Sequence, residues 1–314
     1  MRIAIIGGTL FIGHATASAA VARGHDVLVL HRGVHPAQVP GVRSVAVDRA
    51  DPVALASALG EAAADVVIDT RAMTRSDAQT MVTALDGVCP AAVVLSSQDV
   101  YAQFGRLNGL AAPEPEQVVT EDSPLTVPYP FRGLAPHAGG AMYDKKDVEA
   151  VFRGAASGHL ASVTALRLPA VYGPRDATRR FGMIVDALDR GATTLPRQGG
   201  AFRWTHGHVD NVAHAVILAA EARLSGWNVF NVGEAHTPTM AERAEAISRA
   251  LGVTFTWDEP AELPAAFGLL GTMPNDFVSD SSRIRDALGF HEVLDPDGCV
   301  ASVVAALRAS RPTG

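Results

Sequence analysis

Residues 2–23 constrain this chain more than any other stretch. Arg2-Ile3-Ala4-Ile5-Ile6 is a short run of apolar, mostly β-branched side chains, which reads as a strand buried on both faces. Gly7-Gly8-Thr9-Leu10-Phe11-Ile12-Gly13 follows directly, and glycines there let the backbone turn sharply and approach a ligand with no Cβ between. The Ala-rich run to Arg23 reads as a helix, whose first N–H groups and positive dipole end suit a pyrophosphate. A second apolar run, Asp26-Val27-Leu28-Val29-Leu30, completes a βαβ unit. Strand, glycine turn, helix and strand in that order imply a dinucleotide site rather than a bare tight turn.

The alternation continues. Val42 to Val47 reads as strand three, Pro52 to Leu59 as a helix and Asp65 to Asp69 as strand four. A helix capped by Thr74 or Ser76 then runs to Leu85, and Ala91 to Leu95 is strand five. Repeated βα units predict a doubly wound parallel α/β sheet. Prolines and glycines cluster between Leu107 and Pro136, which reads as a long irregular segment over the active site. Helix returns over Met142 to Ala156, strand six is Ser162 to Leu168, and Val209 to Ala222 is an amphipathic helix. The 314 residues, 48% hydrophobic and 19% charged, are ordinary for a globular enzyme. A net charge of −7 argues against a polyanionic partner, so no nucleic acid is expected. No apolar stretch reaches membrane-span length, strand one starts at residue 2, and Cys89 and Cys299 lack metal-like spacing. A cytoplasmic protein without metal follows as the expectation.

Several stretches carry a family resemblance along nearly the whole chain. The Gly7–Gly13 turn looks like the Gly-x-x-Gly-x-x-Gly turn of the extended short-chain dehydrogenase/reductases, the nucleotide-sugar epimerases and dehydratases, with Leu10 in place of the middle glycine. Arg167-Leu168-Pro169-Ala170-Val171-Tyr172-Gly173-Pro174 resembles that family's Arg-x-x-x-Val-Tyr-Gly-Pro segment beside the nicotinamide. His208-Val209-Asp210-Asn211-Val212-Ala213 resembles its His-Val-Asp-Asp-Val-Ala helix start, and Asn231-Val232-Gly233 and Asp280-Ser281-Ser282-Arg283 match later motifs. The resemblance implies a Rossmann domain over 1–171 with returning segments at about 205–234. A smaller interleaved C-terminal substrate lobe would be built from 172–204 and 235–314. It also implies a homodimer through the helices near Ser76–Leu85 and Met142–Ala156.

Cofactor choice turns on the end of strand two. An acid there holds the 2′-hydroxyl of NAD, whereas a 2′-phosphate needs that acid absent and a guanidinium nearby. His31-Arg32-Gly33 has no acid, so NADP is expected, with NAD as the second possibility and a merely exposed turn arginine as the bland reading of Arg32. By resemblance, Asp48 faces the adenine, Thr70-Arg71-Ala72 lines the pyrophosphate and ribose, and Ser96, Pro169 and Val171 complete the nicotinamide side.

Chemistry is expected after strand five. Ser96-Ser97-Gln98-Asp99-Val100-Tyr101 resembles the family's Ser-Ser-x-x-Val-Tyr segment, which puts Ser97 at the position that hydrogen-bonds a substrate oxygen. Gln98 and Asp99 stand where dehydratases carry an acid and a base, and only Asp99 is acidic. In Tyr143-Asp144-Lys145-Lys146 lie the only two lysines among 26 basic residues, at the family's lysine position, where an ammonium is not replaced by a guanidinium. The family spacing is Tyr-x-x-x-Lys. If Lys145 is that lysine, it would hold the nicotinamide ribose, Ala141 occupies the proton-donor position and Tyr143 points away across the helix. If Tyr143 pairs with Lys146, a shortened dyad survives. Tyr143 or Asp99 is therefore the candidate acid/base.

Arg175, Arg179, Arg180 and Arg203 would either clamp a substrate phosphate or face solvent. His206 and His208 sit at a strand-to-helix junction with no further ligand spacing for zinc. The leading function is an NAD(P)-dependent oxidoreductase, epimerase or dehydratase acting on a sugar-like or other small carbonyl or alcohol substrate. A dinucleotide-binding sensor without turnover is one alternative. Another is an RNA-binding relative of the chloroplast stem-loop type, against which the acidic balance speaks.

Overall fold

The computed structural model describes residues 1–107, 118–126, 140–259, 262 and 276–310. Most of the irregular segment expected between Leu107 and Pro136 lies outside the described residues. Seven strands form one parallel sheet in the order β10-β6-β5-β4-β1-β2-β3. They are β1 (Arg2–Ile6), β2 (Asp26–His31), β3 (Arg43–Ala46), β4 (Val66–Asp69), β5 (Ala91–Ser97), β6 (Ser162–Leu168) and β10 (Gly226–Asn231). Strand order reverses beside β1, so β1 and β4 splay their outgoing loops apart and leave a crevice at the carboxyl edge.

Both faces of the sheet are covered. Helices α1 (Phe11–Ala22) and α7 (Val209–Ala222) pack on one face, where Ile3, Ile5, Val27, Val29, Val212 and Val216 are buried together. On the other lie α2 (Pro52–Ala62), α3 (Arg75–Leu85) and α5 (Lys145–Ala156), over Ala4, Leu28, Val67, Val94, Met81 and Phe152. Strands buried on both sides must be apolar throughout, which explains why β1, β4 and β5 show no alternation. Asp51 caps α2, Asp144 caps α5, and Thr74 closes a capping box with Asp77 at the start of α3.

A third core fills the smaller lobe. Two short parallel pairs, β7 (Ala170–Tyr172) with β9 (His206–His208) and β8 (Thr194–Pro196) with β11 (Thr256–Asp258), frame it. They are joined by α4 (Ala102–Leu107), α6 (Gly182–Asp189), α8 (Met240–Leu251) and the C-terminal helix Pro296–Ala309. Apolar packing crosses the sequence division in both directions. Val100, Tyr101 and Phe104 belong to the lobe core, whereas Ile284 and Phe290, from the stretch assigned to the lobe, are buried with α1 and α7. Among the described residues no helix is long and apolar enough to cross a membrane.

One buried polar network ties lobe to sheet. Arg167 on β6 makes a bidentate pair with Glu149 on α5, Nε to Oε1 at 3.0 Å and Nη2 to Oε2 at 2.7 Å. Its Nη1 donates to the Tyr101 hydroxyl at 2.9 Å and to the Glu121 carbonyl at 3.1 Å. Tyr101 in turn donates to Asn231 at 2.7 Å, and Ser96 donates to Glu149 at 2.5 Å. Desolvation works against the Arg167 cation, but the hydrogen bond and charge of Glu149 outweigh it and hold its pKa above the ordinary value. Removing one member of such a pair strands a buried charge. Arg167→Ala should therefore lower the unfolding free energy by about 3–5 kcal/mol, measured by urea denaturation.

Candidate active site

The crevice at the carboxyl edge is a cleft of about 860 Å³, within the size range of small-molecule sites. Its floor is the glycine turn. Gly7 has φ +85°, and a Cβ on it would lie 2.3 Å from Arg71 Cγ. A Cβ on Gly13 would lie 2.2 Å from the Gly7 carbonyl oxygen, so only glycine allows the turn to fold against the helix start. Gly8 does not line the cleft, because it packs underneath on Val29. Leu10 sits in extended backbone, φ −130°, which any side chain adopts. Position 10 therefore needs no glycine here, and the next residue, Phe11, takes the positive φ of +35°.

Leu10 occupies the N-cap position of α1 and makes no side-chain capping bond. Helices α2, α3 and α5 all have one, so the N–H groups at the start of α1 face the cleft as an anion seat. An uncapped helix start above two glycines that admit no Cβ fits a dinucleotide pyrophosphate.

At one end of the cleft lie His31, Arg32, Asp48, Arg49, Thr70 and Arg71. His31 is held by the Ser44 hydroxyl at 2.7 Å and accepts the Gly33 N–H at 2.9 Å. Asp48 turns the chain by accepting the Ala50 N–H at 3.0 Å. The Thr70 hydroxyl donates to the Ile6 carbonyl at 2.7 Å, tying β4 to β1. Arg49, which the sequence reading passed over, lines the same wall and is neutralised by Asp69 at 3.0 Å and Asp77 at 3.3 Å. Its place beside Asp48 carries no distinctive local signal. Arg71 has its pKa lowered by desolvation first and then by repulsion from Arg32 and Arg49. This end of the cleft is electropositive.

The other end gathers Leu95, Ser96, Ser97, Tyr143, Lys145, Leu168, Pro169, Val171 and Arg180. Asp144 accepts the N–H groups of Lys146 and Asp147, so α5 begins at Lys145 rather than at Met142, and Tyr143 stands before the helix. The expectation that Tyr143 points away across the helix is therefore corrected. It is buried against the cleft, with its hydroxyl donating to Asp99 Oδ2 at 3.3 Å. Lys145 is buried and donates to the carbonyls of Ala72 at 2.7 Å and Leu95 at 2.9 Å. Lys146 turns elsewhere and donates to the Thr126 carbonyl at 2.5 Å. A helical Tyr143–Lys146 dyad is thus not formed. Ser97 accepts the Asp99 N–H at 3.3 Å, which leaves its own hydrogen available to a ligand oxygen. Ser96 lines the cleft but spends its hydroxyl on Glu149.

The remaining candidates separate. Arg179 pairs with Asp186 at 3.1 Å and Arg203 is exposed, both away from the cleft lining, whereas Arg175 lines the cleft and reaches Gln38 at 3.4 Å. The His206 backbone N–H donates to Glu234 Oε1 at 3.0 Å, while its ring Nδ1 bonds the Trp204 carbonyl at 2.6 Å, and burial holds its pKa well below the ordinary value. His208 Nε2 lies 3.1 Å from Ser302.

A doubly wound sheet with this cleft defines an NAD(P)-dependent enzyme of the extended short-chain dehydrogenase/reductase type. A family profile described as "NAD dependent epimerase/dehydratase family" matches residues 3–233, and the chain belongs to that family. It is 30% identical over 308 residues to a 3-diazoavenalumate denitrifying reductase of a Streptomyces species, covering 92% of this chain and 95% of that one. It is 28% identical to the 2′-dehydrokanamycin reductase of Streptomyces kanamyceticus, covering 90% and 75%. Among solved structures, the UDP-Glc/GlcNAc 4-epimerase of Campylobacter jejuni superposes with a TM-score of 0.74 at 19% identity, covering 98% and 99%. MoeE5, in complex with UDP-glucose and NAD, gives 0.70 at 19%, covering 99% of each chain. A nicotinamide dinucleotide is the cofactor.

The state of Lys145 sets the electrostatics of the inner end. Burial lowers its pKa to about 8, opposed by the Asp99 and Asp69 carboxylates. The unfolded chain keeps that proton to the ordinary lysine value near 10.4, whereas the folded chain loses it near 8. Between those values the unfolded state binds more protons, so stability contributed by this group rises with pH, by up to about 1.4 kcal/mol per pH unit. Across that window, the slope of unfolding free energy against pH should be more positive in the unaltered protein than in Lys145→Met, as read by denaturant melts.

Proposed function

We propose that this protein is an NADP(H)-dependent reductase of a small carbonyl substrate. The observation that carries the reading is the guanidinium pair Arg32 and Arg71 at one end of a cleft whose other end holds Ser97, Tyr143 and Lys145. Arg32 directly follows β2, where an NAD site would carry an acid. Arg71 feels Arg32 as a repelling neighbour, and a 2′-phosphate seated between them would relieve that repulsion. Both curated relatives are named reductases, which favours net reduction over epimerisation.

When bound, the reduced cofactor would supply a hydride to the substrate carbon. Lys145, anchored by two carbonyls, would present its remaining N–H to the nicotinamide ribose. Ser97 would donate a hydrogen bond to the substrate oxygen and stabilise the negative charge that develops there. The proton that completes the alcohol would come from the Tyr143 hydroxyl, and Asp99, already bonded to that hydroxyl, would carry a replacement proton to it.

Two substitutions separate binding from chemistry. Arg32→Ser should abolish a preference for NADPH over NADH seen by calorimetry in the unaltered protein; equal binding of both cofactors before substitution would defeat the NADP reading. Tyr143→Phe should lower the turnover rate by about 10²–10⁴-fold with cofactor affinity retained. Rates within twofold of the unaltered enzyme would move the proton role to Asp99 alone.

We also propose that two copies associate through the outer sides of α3 and α5, which pack side by side and would form a four-helix bundle about a twofold axis. Light scattering at micromolar concentration should give the mass of a dimer, and a monomer mass rules the arrangement out.

A further inference from the structure

Two arginines of the lobe line the cleft, Arg175 and Arg180; Arg175 is exposed and reaches Gln38, whereas Arg180 is half-buried and fixed in place. It lines the inner end of the cleft together with Tyr143, Lys145, Pro169 and Val171. Its Nε donates to the Val171 carbonyl at 3.0 Å, and its guanidinium lies 5.5 Å from the centre of the Trp204 ring, over its face. Backbone and indole therefore hold the group in one place. Arg2, Arg49, Arg167, Arg179, Arg243, Arg283, Arg285 and Arg308 all end on carboxylates, but among the described residues Arg180 forms no salt bridge. Burial lowers its pKa, and the attraction of Asp176 does not restore it.

A partly desolvated guanidinium without a protein carboxylate is a costly arrangement unless a ligand supplies the anion. Its fork of N–H donors matches the two oxygens of a carboxylate or the oxygens of a phosphate. The Trp204 ring that backs it is itself fixed by packing, 6.3 Å from Phe104 and 5.5 Å from His206 between ring centres. The pyrophosphate seat at the start of α1 and the electropositive end with Arg32 and Arg71 are built separately, so Arg180 is not needed for the cofactor's own phosphates.

We propose that Arg180 is the anchor for an oxyanion on the substrate, and that the substrate is a small acid held by Arg180 with its reducible carbon toward Ser97 and Tyr143, which line the same cleft. This rests on the reductase reading for the identity of the reacting end, while the anion subsite itself is testable without turnover.

Calorimetry with benzoate, phenyl phosphate and neutral benzyl alcohol as probes tests the subsite, with the full chain free and then saturated with NADP⁺. Benzoate should bind the unaltered protein and benzyl alcohol should not. Arg180→Met should weaken benzoate by roughly tenfold or more, as loss of a charge-assisted hydrogen bond implies, and Arg180→Lys should recover part of it. NADP⁺ affinity should stay within about twofold in both variants. Tighter binding of phenyl phosphate than benzoate, with the same dependence on Arg180, supports the anchor and makes phosphate the source of the oxyanion. Equal binding of benzyl alcohol, undiminished benzoate binding in a folded Arg180→Met, or loss of NADP⁺ in that variant each overturns the proposal. Failure of NADP⁺ to bind the unaltered protein while benzoate still binds would instead overturn the reductase reading and leave the subsite standing.

Discussion

The Arg167–Glu149 pair is the interaction on which the rest of the structure depends. Arg167 is on the sheet, Glu149 on the helix that carries Lys145, Tyr101 in the lobe core, and Asn231 at the end of the last strand. A single guanidinium with its donors distributed among these elements sets α5 against β5 and β6, and hence sets where Lys145 and Tyr143 meet the cleft. Buried charge is expensive unless fully paired, and that expense makes the arrangement specific: a shift of α5 by one residue would leave both charges without partners. The network sits beside the inner end of the cleft, and Ser96 joins it while its neighbour Ser97 lines the cleft with its hydrogen uncommitted.

The cleft divides by charge and by solvation. Its outer end is rimmed by exposed guanidiniums, its middle by unpaired helix N–H groups, and its inner end by buried groups whose protonation is adjusted by burial, as with Lys145. The same physical terms act throughout. Desolvation favours neutral forms, nearby carboxylates favour the ammonium, and the balance places the lysine in a range where its charge responds to its surroundings. Asp99 matters twice in this arrangement, as the chief support of the Lys145 charge and as the acceptor of the Tyr143 hydroxyl.

Local physics made the sheet domain legible. Unbroken apolar runs, glycines that admit no Cβ, and capping residues such as Thr74 and Asp51 are decided by neighbours within a few positions, and β1 through β6 fall where those apolar runs put them. The lobe was harder to read. Its strands β7, β8, β9 and β11 are three residues each, too short to show a period, and its core draws on Val100, Tyr101 and Phe104 from the sheet domain's own stretch. Arg49 was missed because an arginine beside an aspartate has no distinctive pattern until Asp69 and Asp77 are brought to it.

By itself the sequence determined the class of fold, the glycine turn at Gly7–Gly13, the absence of an acid after β2 and the single pair of lysines. These are properties of composition and short-range order. Tertiary structure alone decided which lysine faces the cleft, that Tyr143 precedes α5 and meets Asp99, and that Arg175 and Arg180 rather than Arg179 or Arg203 line the cleft. Asp144 could cap a helix in any register that spacing allows; the register is chosen by burial of Phe152 and Val148 against the sheet and by the pairing of Glu149 with Arg167, contacts between residues far apart in the chain.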